Sequence, residues 1–260
     1  LTGSVNKSII EVYKLGNLTH TSLMINMPGT REAFKLTKTY KKLNVGLHFN
    51  ITEGKSKMGI SSLTDNHGNF YSRSKILLKY IMGKINSKDI KNEIIFQCDE
   101  FKKNKTKLKY IDSHQHIHML PFIFNSIIPI VKKKKLKLRL VSSQPRNNLL
   151  FINPIKTLKH FYVYIIAKKY QKHKVFRNDK ITSIHHENLN NNFEYTSIIK
   201  KNYNKNERLE LMIHPYKPAN DLKKLYKNEY DKKSIFLKKC FNEYKILSKK
   251  SLFKNLTYHN

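Results

Sequence analysis

Tyr110-Ile-Asp-Ser-His-Gln-His-Ile-His-Met-Leu-Pro121 carries one carboxylate and three imidazoles at alternate positions: Asp112, His114, His116 and His118. Read as a strand over residues 108–118, the period-two alternation projects all four to one face. Protonated together they would repel one another, and buried without partners they would cost desolvation energy. A divalent cation removes both problems, since neutral imidazole is a good ligand for it. The apolar neighbours Ile111, Ile117, Met119 and Leu120 argue for burial, against the plainer alternative of an edge strand with solvated histidines.

Two further segments deliver a histidine in the same way. Val45-Gly-Leu-His-Phe-Asn-Ile-Thr-Glu-Gly54 puts His48 inside a strand that runs into a polar turn. Glu210-Leu-Met-Ile-His-Pro-Tyr216 puts His214 after an apolar run, stopped by Pro215. A lone histidine at a strand end is more often structural than catalytic. Three strands bringing histidine to one edge predict a shared pocket with a metal and an acid–base group.

The pattern around these segments alternates between the two regular periods. Helices are expected at residues 4–15, 30–39, 122–134 and 232–248, the third interrupted near Pro129. Strands are expected at residues 21–26, 45–51, 138–142 and 209–214. Ile90, Ile94, Cys98 and Phe101 mark one face of a further amphipathic helix. Strands alternating with helices predict an α/β fold with a parallel sheet or a (β/α) barrel, in which chemistry gathers at the C-terminal ends of the strands. Residues 149–173 read as a helical, aromatic-rich insertion on a single domain spanning residues 1–260, with a partner-binding or membrane-surface helix as the sharper alternative. The Asn-rich residues 188–192 read as a surface loop.

Composition excludes several other classes. With 260 residues, 39% of them hydrophobic, the chain can bury a sizeable core and is not disordered by composition. A net charge of +33 suggests a polyanionic partner at first sight. Yet the basic residues include only six arginines, at positions 31, 73, 139, 146, 177 and 208. Arginine is the residue that reads guanine edges and clamps phosphates, so no specific nucleic-acid partner is expected. The lysine excess, together with abundant Asn, Ile, Tyr and Phe, reads as drift towards residues of AT-rich codons. Cys98 and Cys240 indicate neither a disulfide framework nor a Cys-based zinc site. No apolar run approaches the ~18–20 residues of a membrane span. The opening residues show no secretory pattern, so a reducing, cytosolic (cytoplasmic) compartment is the default expectation.

Taken in order, Val5–Val12, Leu18–Asn26, Gly46–Gly54, Ser62–Phe70, Asp112–Pro121 and Glu210–Pro215 together resemble the YdjC-like family, whose best-known members are chito-oligosaccharide deacetylases. The resemblance spans nearly the whole chain, and the Ser-His-Gln-His-Ile-His block is its most specific part. It implies a metal-dependent hydrolase on a (β/α)-barrel-like fold that removes an acetyl group from an N-acetylated sugar or oligosaccharide. It implies His48 and His114 as ligands of one divalent ion, magnesium or zinc, and His214 as the acid or substrate-positioning group. His116, His118, Asp112, Asn26 and Glu210 fall within the matched segments and are expected to support or line the pocket. A homodimer is compatible with this reading.

The family pattern opens with a strand ending in Asn-Ala-Asp-Asp-Phe-Gly, which supplies a metal-binding aspartate and a base. Leu1-Thr-Gly-Ser-Val-Asn6 matches the residues just after that motif. The expectation is therefore a chain without its first strand and of weak activity by itself. The alternative class is a non-catalytic family member or a basic polyanion-binding protein, for which residues 132–135, four lysines in a row, give slight support.

Overall fold

Parallel strands covered on both faces need nearly continuous apolar runs, and the central strands of this chain have them. The computed structural model describes residues 1–142, 154–185 and 194–253. Strands β1 (His20–Leu23), β2 (Asn44–Phe49), β3 (Tyr110–Ser113) and β4 (Lys137–Leu138) form one parallel sheet in the order β1-β2-β3-β4. The register runs Leu23 to Leu47, Leu47 to Ile111 and Ile111 to Leu138, so a row of buried aliphatic side chains crosses the sheet. The same register sets His48 beside Asp112.

Strands β5 (Lys180–Thr182) and β6 (Leu209–Leu211) form a second parallel pair. Backbone bonds join it to the first sheet: Leu138 bridges Phe176, and the Ile181 N–H donates to the Ser142 carbonyl at 3.1 Å. The α/β expectation with parallel strands is met. Among the described residues the sheets do not close on themselves.

Helices α1 (Gly3–Lys14), α2 (Thr30–Thr39), α3 (Arg73–Ile81), α4 (Ser87–Lys103), α5 (Pro121–Lys133), α6 (Pro154–Gln171), α7 (Tyr195–Asn202), α8 (Asn220–Tyr226) and α9 (Ser234–Leu247) connect and flank the strands. The predicted α4 stripe of Ile90, Ile94, Cys98 and Phe101 is buried. Asn86 caps its start by accepting from the Lys88 N–H, and the Asn104 side chain donates to the Glu100 carbonyl at its end. Beside the stripe, Gln97 grips the backbone of Asn50, donating to its carbonyl at 2.6 Å and accepting from its N–H at 3.1 Å. This fixes the loop that leaves β2 towards Glu53.

Three expectations are corrected. Helix α5 runs through Pro129 without interruption. Pro129 lies on the exposed face beside an exposed Asn125, so the carbonyl left without an N–H partner is open to water. The elements α3, β5, α7 and α8 are short and lie outside the expected set. The largest correction concerns residues 108–118, of which only Tyr110–Ser113 is strand. His114–Met119 is a tight 3-10 turn, with Gln115 and His116 in the left-handed region at φ 51° and 54°. Alternation stops at Ser113, so the three histidines do not share a face.

The expected insertion is the helix α6, whose Ala167 and Tyr170 join the main core while Leu158 and Phe161 face outward. Residues 149–153 and the tract 188–192 lie outside the described residues.

His118 locks the turn. Its Nε2–H donates to the Arg139 carbonyl at 2.8 Å, and Nδ1 faces the Ser113 hydroxyl at 2.5 Å. The Ser113 oxygen in turn accepts the His118 N–H at 3.1 Å. With both ring nitrogens engaged, His118 is a buried neutral imidazole, and burial lowers its pKa from 6.5 to about 4. Burial, then the charge of Arg177, likewise lowers His20 to about 4. Between these values the unfolded chain binds protons that the folded chain does not, so stability falls as pH drops from about 6.5 to 4. The urea midpoint should decline steadily across that window. His118→Phe should cost ~2–3 kcal/mol at neutral pH and flatten the decline. A midpoint independent of pH in that window would contradict this.

Candidate functional site

The C-terminal edge of the sheet collects the polar chemistry. At its centre Asp112, fully buried on β3, uses both carboxylate oxygens. Oδ1 accepts from His48 Nδ1 at 2.7 Å, and Oδ2 accepts from Ser22 Oγ at 2.7 Å and pairs with Arg139 Nη1 at 2.8 Å. Burial by itself would raise its pKa, but Arg139, His48 and Ser22 hold it far below the usual carboxylate range. Arg139 then reaches Glu210 Oε1 through Nη2 at 2.6 Å, and Arg177 binds the same oxygen. Arg177 also lies over the Tyr110 ring, 3.8 Å from its centre. Two carboxylates and two guanidiniums balance within the fold.

His48, half-buried on β2, takes its orientation from this network. Ionised Asp112 can only accept, so Nδ1 carries the proton and Nε2 keeps its lone pair. Burial, the largest effect, lowers the His48 pKa against the pull of Asp112 and keeps the ring neutral. His114 follows β3 directly. Its Nε2 is 2.8 Å from Glu53 Oε2, and its ring stands edge-on to that of His48 with centres 5.8 Å apart. Burial opposes ionisation of Glu53, but His114, Lys233 and Tyr226 together bring its pKa down to about 2. A carboxylate thus stands against one nitrogen of each imidazole. That is the arrangement in which the other nitrogen serves as a metal ligand. With metal–nitrogen bonds of about 2.0–2.1 Å in tetrahedral geometry, two imidazole ring centres on one ion stand roughly 5 Å apart, near the separation here. The donor set therefore fits a divalent cation.

The remaining expected residues divide. Asn26 supports the loop after β2, donating to the Glu53 carbonyl at 2.9 Å and accepting from Asn50 Nδ2 at 3.0 Å. Glu210 belongs to the buried charge network. His116 lines a cavity of about 140 Å³ with Arg73, Met119, Leu120, Val141 and Tyr162. His118 is a structural member of the turn. His214 stands in a second cluster with His185, ring centres 5.2 Å apart, with Phe236 of α9 against both. Its backbone N–H donates to Glu243 at 2.8 Å. Helix α9 connects the two clusters, since Lys233, which caps it, lies 3.7 Å from Glu53.

Sequence reasoning missed Glu53, Arg139, Arg177, His185 and Glu243. Glu53 sat inside a matched segment without a role. Arginine retained at 139 and 177 in a lysine-rich chain was the available signal for a buried network, since lysine lacks the fork that serves two acceptors. Glu243 gave no signal, being one charge on an amphipathic helix.

The family model described as YdjC-like protein matches residues 1–257. A carbohydrate deacetylase of Geobacillus stearothermophilus is 32% identical over 135 residues, 52% of this chain and 53% of that protein. A chitooligosaccharide deacetylase of Yersinia enterocolitica is 28% identical over 161 residues, 60% of this chain and 61% of that one. The aligned part spans a little over half the length of the curated relatives it matches. A crystal structure from Enterococcus faecalis, of a protein named for cellobiose-phosphate cleavage, superposes with a TM-score of 0.68 at 21% identity, covering 95% of this chain and 86% of that one. It supports the fold alone. Among the described residues no helix is long and apolar enough to cross a membrane. With the match extending over residues 1–257, the chain belongs to the YdjC-like family.

Proposed function

We propose that this chain is the domain of a metal-dependent carbohydrate deacetylase that hydrolyses the acetamido group of an N-acetylated sugar. The observation that carries the reading is the pair His48 and His114, each held by a carboxylate at the C-terminal sheet edge. These two imidazoles would hold one divalent cation. Bound there, the cation would polarise the acetyl carbonyl and make a water molecule more acidic. Imidazole donors favour zinc, with magnesium as the second choice.

The chain's own groups then have distinct tasks. Asp112 keeps the His48 proton on Nδ1 and thereby aims Nε2 outward. Glu53 orients His114 and offsets cationic charge. Held ionised near 2, it is too weak a base to take the water proton efficiently. His214, with its ring 37% exposed beside Phe236, is the group suited to hand a proton to the leaving amine.

His48→Ala and His114→Ala should each remove one equivalent of bound zinc in equilibrium dialysis and abolish acetate release from a chitobiose-type substrate. His214→Ala should leave the zinc stoichiometry intact while lowering kcat by about 10²–10⁴. Unchanged zinc stoichiometry in both of the first two variants would defeat the assignment.

Asp112→Asn should act on fold and site together. Removing one partner of a buried ion pair leaves Arg139 undercompensated, at a cost on the order of 3–5 kcal/mol by urea unfolding. Loss of the His48 orienting bond should weaken zinc binding by about 10–100-fold. A stability change below about 1 kcal/mol with unaltered zinc affinity would refute the role given to this network.

A further inference from the structure

The parallel register of β5 and β6 pairs Thr182 with Leu211. Three residues further along each strand stand His185 and His214, brought side by side by that register. Helix α9 crosses this edge with Cys240 and Glu243, which are one turn apart and so share a helix face. A ring nitrogen of His185, Cys240 Sγ and a Glu243 oxygen all lie within 4.8 Å of one another. Among the described residues no other three such side chains converge so closely.

We propose a second metal site, made by His185, Cys240 and Glu243, that takes a borderline transition-metal ion of the zinc type. The separations suit it: His185 Nε2 is 3.8 Å from Glu243 Oε2. Two ligands of a tetrahedral zinc ion at bond lengths of about 2.0–2.3 Å stand roughly 3.4 Å apart, a small adjustment from this value.

The chemistry of the donors also selects the ion. Nitrogen, sulfur and oxygen donors together suit zinc or cobalt, whereas magnesium demands oxygen. Glu243 is already oriented from behind, because Oε1 accepts from the Tyr195 hydroxyl at 2.8 Å. His185 Nε2 is buried and makes no hydrogen bond. Cys240 and Glu243 are buried next to each other, and burial, then the Glu243 charge, pushes the thiol pKa up. A cation in the centre resolves all three conditions at once: it gives the imidazole a partner, neutralises the carboxylate and stabilises a thiolate, with the thiol proton released to solvent.

This site is independent of whether His48 and His114 bind a cation. The test uses the full chain and cobalt(II) alone as probe. A cobalt–thiolate centre has a sulfur-to-metal charge-transfer band in the near ultraviolet, which histidine and carboxylate ligands do not produce. The expected result is such a band at one equivalent, displaced by zinc and not by magnesium. It should vanish in Cys240→Ser, weaken at least ~10-fold in affinity in His185→Asn, and persist in a His48→Ala, His114→Ala double variant. Wild-type protein with saturating cobalt and no thiolate band would overturn the proposal, as would a band that survives Cys240→Ser. The wild-type measurement stands whether or not a variant folds.

Discussion

The contact between Asp112 and Arg139 is the constraint around which this molecule is organised. A carboxylate buried in the middle of a parallel sheet loses its hydration, and only fully satisfied partners make that tolerable. Asp112 draws its partners from separate stretches of chain: Ser22 from β1, His48 from β2 and Arg139 from just beyond β4. Arg139 in turn needs Glu210 on β6, and Glu210 is shared with Arg177. The network therefore works as a register pin. A one-residue slip of any of these strands would leave a charge buried without its counterpart, which adds to the cost of displacing the aliphatic row of Leu23, Leu47, Ile111 and Leu138.

The same network connects folding to chemistry. His48 is oriented because Asp112 is ionised, and Asp112 is ionised because Arg139 is there. His114 is oriented separately, through Glu53, and the Glu53 loop is held by Asn26, Asn50 and Gln97. Each imidazole is thus secured by a different part of the fold. The turn at His114–Met119 lets both arrangements coexist. It directs His114 towards Glu53, while His118 is turned inward onto Ser113 and the Arg139 backbone. Two non-glycine residues in the left-handed region cost on the order of 1–2 kcal/mol each, and the bonds made by His118 offset that.

Much of the frame was legible in the residues. The helix at Thr30–Thr39 and the buried face Ile90, Ile94, Cys98 and Phe101 follow from period alone, because a long amphipathic helix has few other ways to hide its apolar stripe. The parallel sheet followed from alternation of elements, and His48 from its place near the end of an apolar strand. The histidine block was legible as chemistry and misread as geometry. Alternation holds only while the backbone stays extended, and nothing local in Ser-His-Gln-His announces that Gln115 and His116 turn left-handed. That turn depends on His118 finding the Arg139 carbonyl, a contact across 21 positions of chain.

The amino-acid order by itself determined which residue types were available and where the regular elements lie: the apolar strands, the periodic helices, histidine at three strand ends and family membership. These are properties of neighbours within a few residues or of a motif in sequence. Only the tertiary structure decided which side chains meet. It set His214 beside His185 and Phe236, gave Glu53 to His114, paired two arginines with Asp112 and Glu210, and carried Cys240 and Glu243 to His185. The physical reason is that such contacts are chosen by satisfying buried charge and polar groups across strands distant in sequence, and no local period encodes that requirement.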